Sequence, residues 1–165
     1  SNGELLNTTL KFGYGNQVEL LKWVEDQNKK TDPNKYPLVW YVLDSYTEFD
    51  GWYKSDFKLI LMTNTREEVF NEWRTTNNYI GVLKPVCDLV TQTLITNGYI
   101  QVWGNTETRF AQFDEPNYGV DWKAKKSDSS DFKSSQALSQ KSISQDFVDA
   151  KVLEFKADIK VGCII

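Results

Sequence analysis

From Leu153 to Ile165 every second residue is apolar: Leu153, Phe155, Ala157, Ile159, Val161, Cys163 and Ile165, with Glu154, Lys156, Asp158, Lys160 and Gly162 between them. Successive side chains of a strand point to opposite faces, so this alternation predicts a half-buried strand with Phe155, Ile159 and Val161 turned inward. A strand with one apolar face needs a sheet to join and a layer to cover it. The rest of the chain has to supply both.

Upstream, Gly13 and Gly15 read as a turn, and Asn16 as the cap of a helix running to about Lys30. Val18, Leu21 and Val24 form its apolar stripe, and Lys29 and Lys30 sit at its negative end. Thr31-Asp32-Pro33-Asn34 is a stop signal. Tyr36 to Leu43 is the densest run of β-formers and lacks alternation, which suits a strand covered on both faces, with Pro37 near its start. Phe49-Asp50-Gly51 reads as a turn. Trp52 to Thr63 is a second strand, with Phe57, Leu59 and Leu61 on one face, paired with the first as an antiparallel hairpin with a longish loop.

Thr65-Arg66-Glu67-Glu68 has the form of a capping box. The long helix predicted after it places Val69, Trp73, Thr76, Ile80, Leu83, Cys87, Val90 and Leu94 on one stripe, and its apolar members are expected to be buried against the sheet. Pro85 predicts a kink or a division into two helices, and Asn97-Gly98 a stop. Tyr99 to Trp103 is a short strand, and Arg109 to Phe113 a returning one. The fold class expected is α+β: a mainly antiparallel sheet with two helices packed on one face, and a long polar loop excursion over Asp114–Gln145. Residues 1–12 read as an arm and residues 13–165 as a single domain. An excursion that orders on a partner and a mobile surface loop fit the polar segment equally.

At 165 residues the chain suits one domain, and it can bury roughly 70% of its unfolded surface without a metal or disulfide. It contains no histidine, which removes Ser-His-Asp and Cys-His catalysis and histidine metal sites. Its two cysteines, Cys87 and Cys163, form no CxxC and sit in apolar stretches, so reduced thiols are expected, with a disulfide between them left open. The net charge of −4 argues against nucleic-acid binding, and Lys123-Ala124-Lys125-Lys126 is offset by Asp121, Asp128 and Asp131. No signal pattern opens the chain, and no apolar run approaches the ~18 residues of a membrane helix. Asn7-Thr8-Thr9 matches a glycosylation pattern and is read as chance.

Asp44, Glu48, Asp50 and Asp56 cluster around the predicted hairpin. Paired carboxylates can do acid–base work or hold a cation, but this spacing matches no calcium loop and reads as a solvated tip. Gly13-Tyr14-Gly15 is only a fragment of a phosphate-binding loop, with no strand before it. No catalytic residue, metal ligand or cofactor is expected. Trp52, Tyr53, Tyr118 and Trp122 lie near predicted loops, where local packing, a protein interface, and sugar or base stacking are the options in that order. Phe132 and Leu138 join Tyr118 and Trp122 as spaced anchors along the polar segment.

Three stretches carry a resemblance. They are the leading helix with Tyr36-Pro37-Leu38-Val39-Trp40; Asn64-Thr65-Arg66-Glu67-Glu68 through Asn71-Glu72-Trp73-Arg74 to Val82-Leu83-Lys84-Pro85-Val86; and Phe147-Val148-Asp149-Ala150-Lys151 entering the last strand. In this order the chain resembles the neck proteins of tailed bacteriophages, the tail terminator and head–tail joining family. The resemblance implies a non-enzymatic virion protein, made in the host cytoplasm. It would form a homo-oligomeric ring between portal, neck and tail proteins, with DNA passing through the lumen unbound and no membrane contact. The competing expectation is an accessory binding module, for carbohydrate, that uses exposed Trp and Tyr.

Overall fold

The computed structural model describes residues 9–29, 35–43, 45–65, 70–105, 109–116, 118 and 147–160. Its spine is two 14-residue strands, β4 (Trp52–Thr65) and β7 (Phe147–Lys160), antiparallel over their whole length from Trp52↔Lys160 to Thr65↔Phe147. Each is flanked by an interrupted strand. β2 (Leu38–Val42) and β3 (Tyr46–Phe49) both pair with β4, while β5 (Ile100–Val102) and β6 (Ala111–Glu115) both pair with β7, all antiparallel. β1 (Lys11–Gly15) adds in parallel to β2 and is the outermost strand on that side among the described residues. The helices are α1 (Gln17–Lys29) and a composite α2: one α-helical turn, Asn71–Arg74, a π-helical stretch, Thr75–Leu83, and an α-helix, Lys84–Thr96. The fold is α+β, as expected, with seven strands among the described residues in one mixed sheet.

The hairpin forms between the expected strands, but its loop is itself a strand. β3 continues the line of β2, and the reversal is the two-residue turn Asp50-Gly51, both at positive φ (50° and 75°). A tight turn of this kind matches the twist of the strands it joins. The short strands differ from expectation too: β6 does not return along β5 but extends its line beside β7.

Gly13 and Gly15 are a correction, being strand rather than turn, and the expected arm of residues 1–12 therefore gives up Lys11 and Phe12 to β1; residues 1–8 lie outside the described residues. The indole of Trp40 explains the glycines. A Cβ on Gly13 would lie 2.4 Å from its ring, and Trp40 Nε1 donates to the carbonyl of Gly15 at 3.1 Å. Gly15, at φ +140°, then turns the chain into α1. There Asn16 and Glu19 cap reciprocally: Glu19 N–H donates to Asn16 Oδ1 at 3.0 Å and Asn16 N–H to Glu19 Oε2 at 2.6 Å.

The expectation that both helices cover one face is also corrected. Leu20, with Trp23 and Val24, packs against Leu38, Trp40, Ile60, Met62, Val148 and Ala150. Leu83, Val86 and Cys87 pack against Val39, Leu61, Leu153, Phe155 and Ala157. These two sets alternate along β2, β4 and β7, so α1 and α2 lie on opposite faces. The inward stripe of α1 includes Leu20, Trp23 and Val24; Val24 was expected there, Val18 is exposed instead, and the side chain of Leu21 lies outside the described residues.

The long helix begins at Asn71, after Phe70 in extended conformation with no side-chain cap. Thr65 ends β4 instead of capping it, and 66–69, with Val69, lie outside the described residues. Leu83 and Cys87 are buried, and Val90 and Leu94 pack at the rim of the same core. Trp73 and Ile80 face solvent instead, 44% and 59% exposed. The π-helical turns cause this. Their longer repeat advances the inward stripe by five residues, from Asn78 to Leu83, and turns Arg74 and Asn78 to the sheet. The irregularity sits immediately before Pro85, which lacks the N–H an α-helix would use there.

Leu83→Ala is expected to cost about 2–5 kcal/mol and Trp73→Ala under about 1 kcal/mol, by urea unfolding. Gly13→Ala is expected to cost about 1–3 kcal/mol by forcing the Trp40 ring aside.

Candidate functional site

The aromatic candidates do not come together. Trp52 and Tyr53 are both half-buried, but as strand neighbours they point to opposite faces. Trp52 lies opposite Phe49, and Tyr53 meets Tyr46 edge to face at 4.8 Å. Tyr118 folds onto its own domain. Its N–H donates to the carbonyl of Val148 at 2.8 Å, and its ring packs beside the cluster of Leu20, Trp40 and Val148. This is the local packing that stood first among the options for it, and the expected excursion begins later than Asp114, since Asp114 and Glu115 complete β6. Trp122, Phe132, Leu138, Asp44 and Cys163 lie outside the described residues, as does 119–146. Glu48 and Asp56 stand on opposite faces, and Asp50 is in the turn. Among the described residues no three His, Cys, Asp or Glu side chains gather to hold a metal ion, and no helix is long and apolar enough to cross a membrane.

Three other features carry chemistry. The first lies under the π-helical stretch, where Asp149 of β7 is fully buried. Asn78 Nδ2 donates to its Oδ2 at 2.6 Å, and Arg74 Nε stands 3.6 Å from its Oδ1. Tyr79 borders this cluster, and burial, followed by the charge of Asp149, pushes its phenol well above the ordinary range. Burial likewise raises Tyr118, with Glu115 adding to it, and raises the Cys87 thiol. An acid between Val148 and Ala150 was a visible signal for this cluster, but its partners on α2 depended on the π-helical register.

The second is the outer edge of β1. Phe12 and Tyr14 are 67% and 71% exposed on the last strand of the described sheet. They lie beside Val39 and Tyr41 on the α2 side, while Gly13 meets Trp40 on the α1 side. The alternation of glycine with aromatics was the signal; reading the glycines as a turn concealed it.

The third is a cleft of about 560 Å³ where the β5–β6 edge breaks. Its floor is formed by Asp56 and Lys58 of β4 facing Lys156 and Glu154 of β7, a ladder of alternating sign. The pairs stand 3.7 Å (Lys156–Asp56) and 3.8 Å (Lys58–Glu154) apart. Trp103 and Arg109 are the walls. Trp103 N–H donates to the carbonyl of Lys156 at 2.8 Å, Lys54 Nζ lies 5.6 Å from the Trp103 ring centroid, and Arg109 Nε donates to the carbonyl of Gly104 at 3.1 Å. No periodicity marks Trp103 and Arg109, which meet only because β5 and β6 share one edge.

No family model, curated protein or solved structure matches the chain, so a functional reading rests on these three features.

Removing one partner of the buried pair leaves the other charge uncompensated. Asp149→Ala is therefore expected to cost about 3–5 kcal/mol, with Asp149→Leu plus Arg74→Met costing less than the sum of the single changes in a double-mutant cycle. The raised phenols have a pH signature. Tyr79 and Tyr118 stay protonated in the fold where the unfolded chain ionises near the ordinary value of 10.0. The stability they contribute is complete below that pH and is lost as pH rises through the raised value. Melting temperature is expected to fall above about pH 10, less steeply in Tyr118→Phe than in the parent.

Proposed function

We propose that the protein is a non-enzymatic assembly subunit that joins its neighbours through β1, in the ring-forming manner of the tailed-phage neck proteins its sequence resembles. The observation that carries this is the state of β1. An edge strand offers unpaired N–H and C=O groups to any passing strand, and monomeric proteins blunt such edges with charge, proline or a bulge. β1 pairs regularly with β2 over all five residues and puts two large aromatics in water. Backbone pairing with flanking aromatic anchors is a known mode of strand addition. The outward side of α2 adds Phe70, Trp73 and Ile80, apolar and exposed, as a second surface of the same character.

The chemistry is consistent with a structural role. There is no histidine in the chain, and the net charge of −4 suits a ring through which DNA slides rather than binds. Portal and tail proteins are the neighbours this reading implies, in the neck or tail of a virion.

Native mass spectrometry of the purified protein is expected to show closed oligomers, and Phe12→Asp with Tyr14→Asp to leave a folded monomer. A parent protein that stays monomeric at tens of micromolar would overturn the reading.

A further inference from the structure

The cleft beside Trp103 lies at the edge of the sheet opposite β1 and is independent of the assembly reading. We propose that it binds a neutral saccharide, one sugar ring lying with its C–H face on Trp103 and its hydroxyls directed to the charged floor. The floor decides the ligand class. It presents acceptors and donors in alternation, carboxylate beside ammonium along each strand and across the pair. Sugar hydroxyls both donate and accept, so such a surface satisfies them in either sense.

The two cross-strand pairs, at 3.7 and 3.8 Å, are too long to be hydrogen bonds. Each therefore retains hydrogen-bonding capacity toward a hydroxyl seated between its partners. A phosphate or carboxylate would gain from Lys58, Lys156 and Arg109 but would meet Asp56 and Glu154 on the same floor. A wholly apolar ligand would cover four ionised groups and return nothing for their lost hydration. Trp103 completes the site. It is half exposed, its backbone is tied to Lys156, and Lys54 Nζ stands over one face of its ring, so the other face is the flat apolar platform the sugar would take. The volume, about 560 Å³, lies within the usual range of ligand pockets.

The intact protein is titrated calorimetrically with maltotriose, cellotriose and triacetylchitotriose, and with inorganic phosphate and galacturonate as charged comparisons. At least one neutral trisaccharide is expected to bind saturably. Trp103→Ala is expected to weaken it about tenfold or more, and Asp56→Asn, a change at an exposed side chain that spares the core, several-fold. Trp52→Ala, on the same face but outside the cleft, is expected to leave it unchanged. Saturation by none of the three sugars at about 10 mM, preference for phosphate or galacturonate, or undiminished binding by both cleft variants would overturn the proposal. Binding is expected to persist in the Phe12→Asp, Tyr14→Asp protein, so loss of assembly and loss of sugar binding are read separately.

Discussion

The pairing of β4 with β7 is the interaction on which the rest of the molecule depends. It runs for 14 residues without a break, and every other strand among the described residues except β1 is laid against one of the two. A slip of one residue would exchange the faces of the slipped strand, so this register decides which side chains each helix meets. Toward Thr65 and Phe147 the ladder is buried on both sides: Ile60, Met62, Ala150 and Val152 toward α1, Leu61 and Leu153 toward α2. Toward the Asp50-Gly51 turn the α1 side runs out of cover, and the same strands show Asp56, Lys58, Glu154 and Lys156 to solvent. One pair of strands thus makes the core at one end and the floor of the cleft at the other.

This arrangement explains how much of the fold was legible. The alternation from Leu153 onward placed Phe155 in the core and Ile159 at its rim, because only their side of the strand is apolar there; Val161 lies outside the described residues. Before it, Val148, Ala150 and Val152 alternate in the opposite phase. The change of phase at Val152-Leu153 is where the burial passes from the α1 face to the α2 face, and it marks in the sequence that the helices take opposite sides. The Trp73 and Ile80 positions were not legible, since a 3.6-residue period assumes α-helix throughout and the π-helical turns break it. The cleft was legible in none of its walls. Trp103 and Arg109 belong to different strand ends, and only the collinearity of β5 and β6 along β7 unites them.

The irregular helix and the buried charge belong together. With Asp149 fully buried on the α2 face, a regular apolar stripe over it would leave a carboxylate in hydrocarbon, at a cost of several kcal/mol. Turning Arg74 and Asn78 inward answers that charge, and it necessarily turns Trp73 and Ile80 outward. Such a pair adds little net stability compared with an apolar substitute. Its effect is selective: any other rotation of the first half of α2 strands Asp149, so the exposed apolar side of the helix follows from the polar interior.

The two ends of the sheet differ in a way that bears on assembly. The β5–β6 edge is interrupted between Val102 and Ala111 and ends on Asp114 and Glu115, so it is a poor template for a further strand. β1 is short but continuous, and its exposed side chains are aromatic. Of the two described edges, β1 is thus the better template for a further strand. If β1 met the β1 of another copy, the contact would be two-fold and would close at a dimer. A ring instead requires a heterologous contact, in which β1 meets a different surface of its neighbour. The broken edge is a poor acceptor, which leaves the apolar outward side of α2, with Phe70, Trp73 and Ile80, as the complement of the right character. On the ring reading, the β1 aromatics would therefore meet the next subunit's α2 through side chains only, since a helix has no free backbone groups along its side to pair with a strand, and the exposure of those helix residues traces back to Asp149.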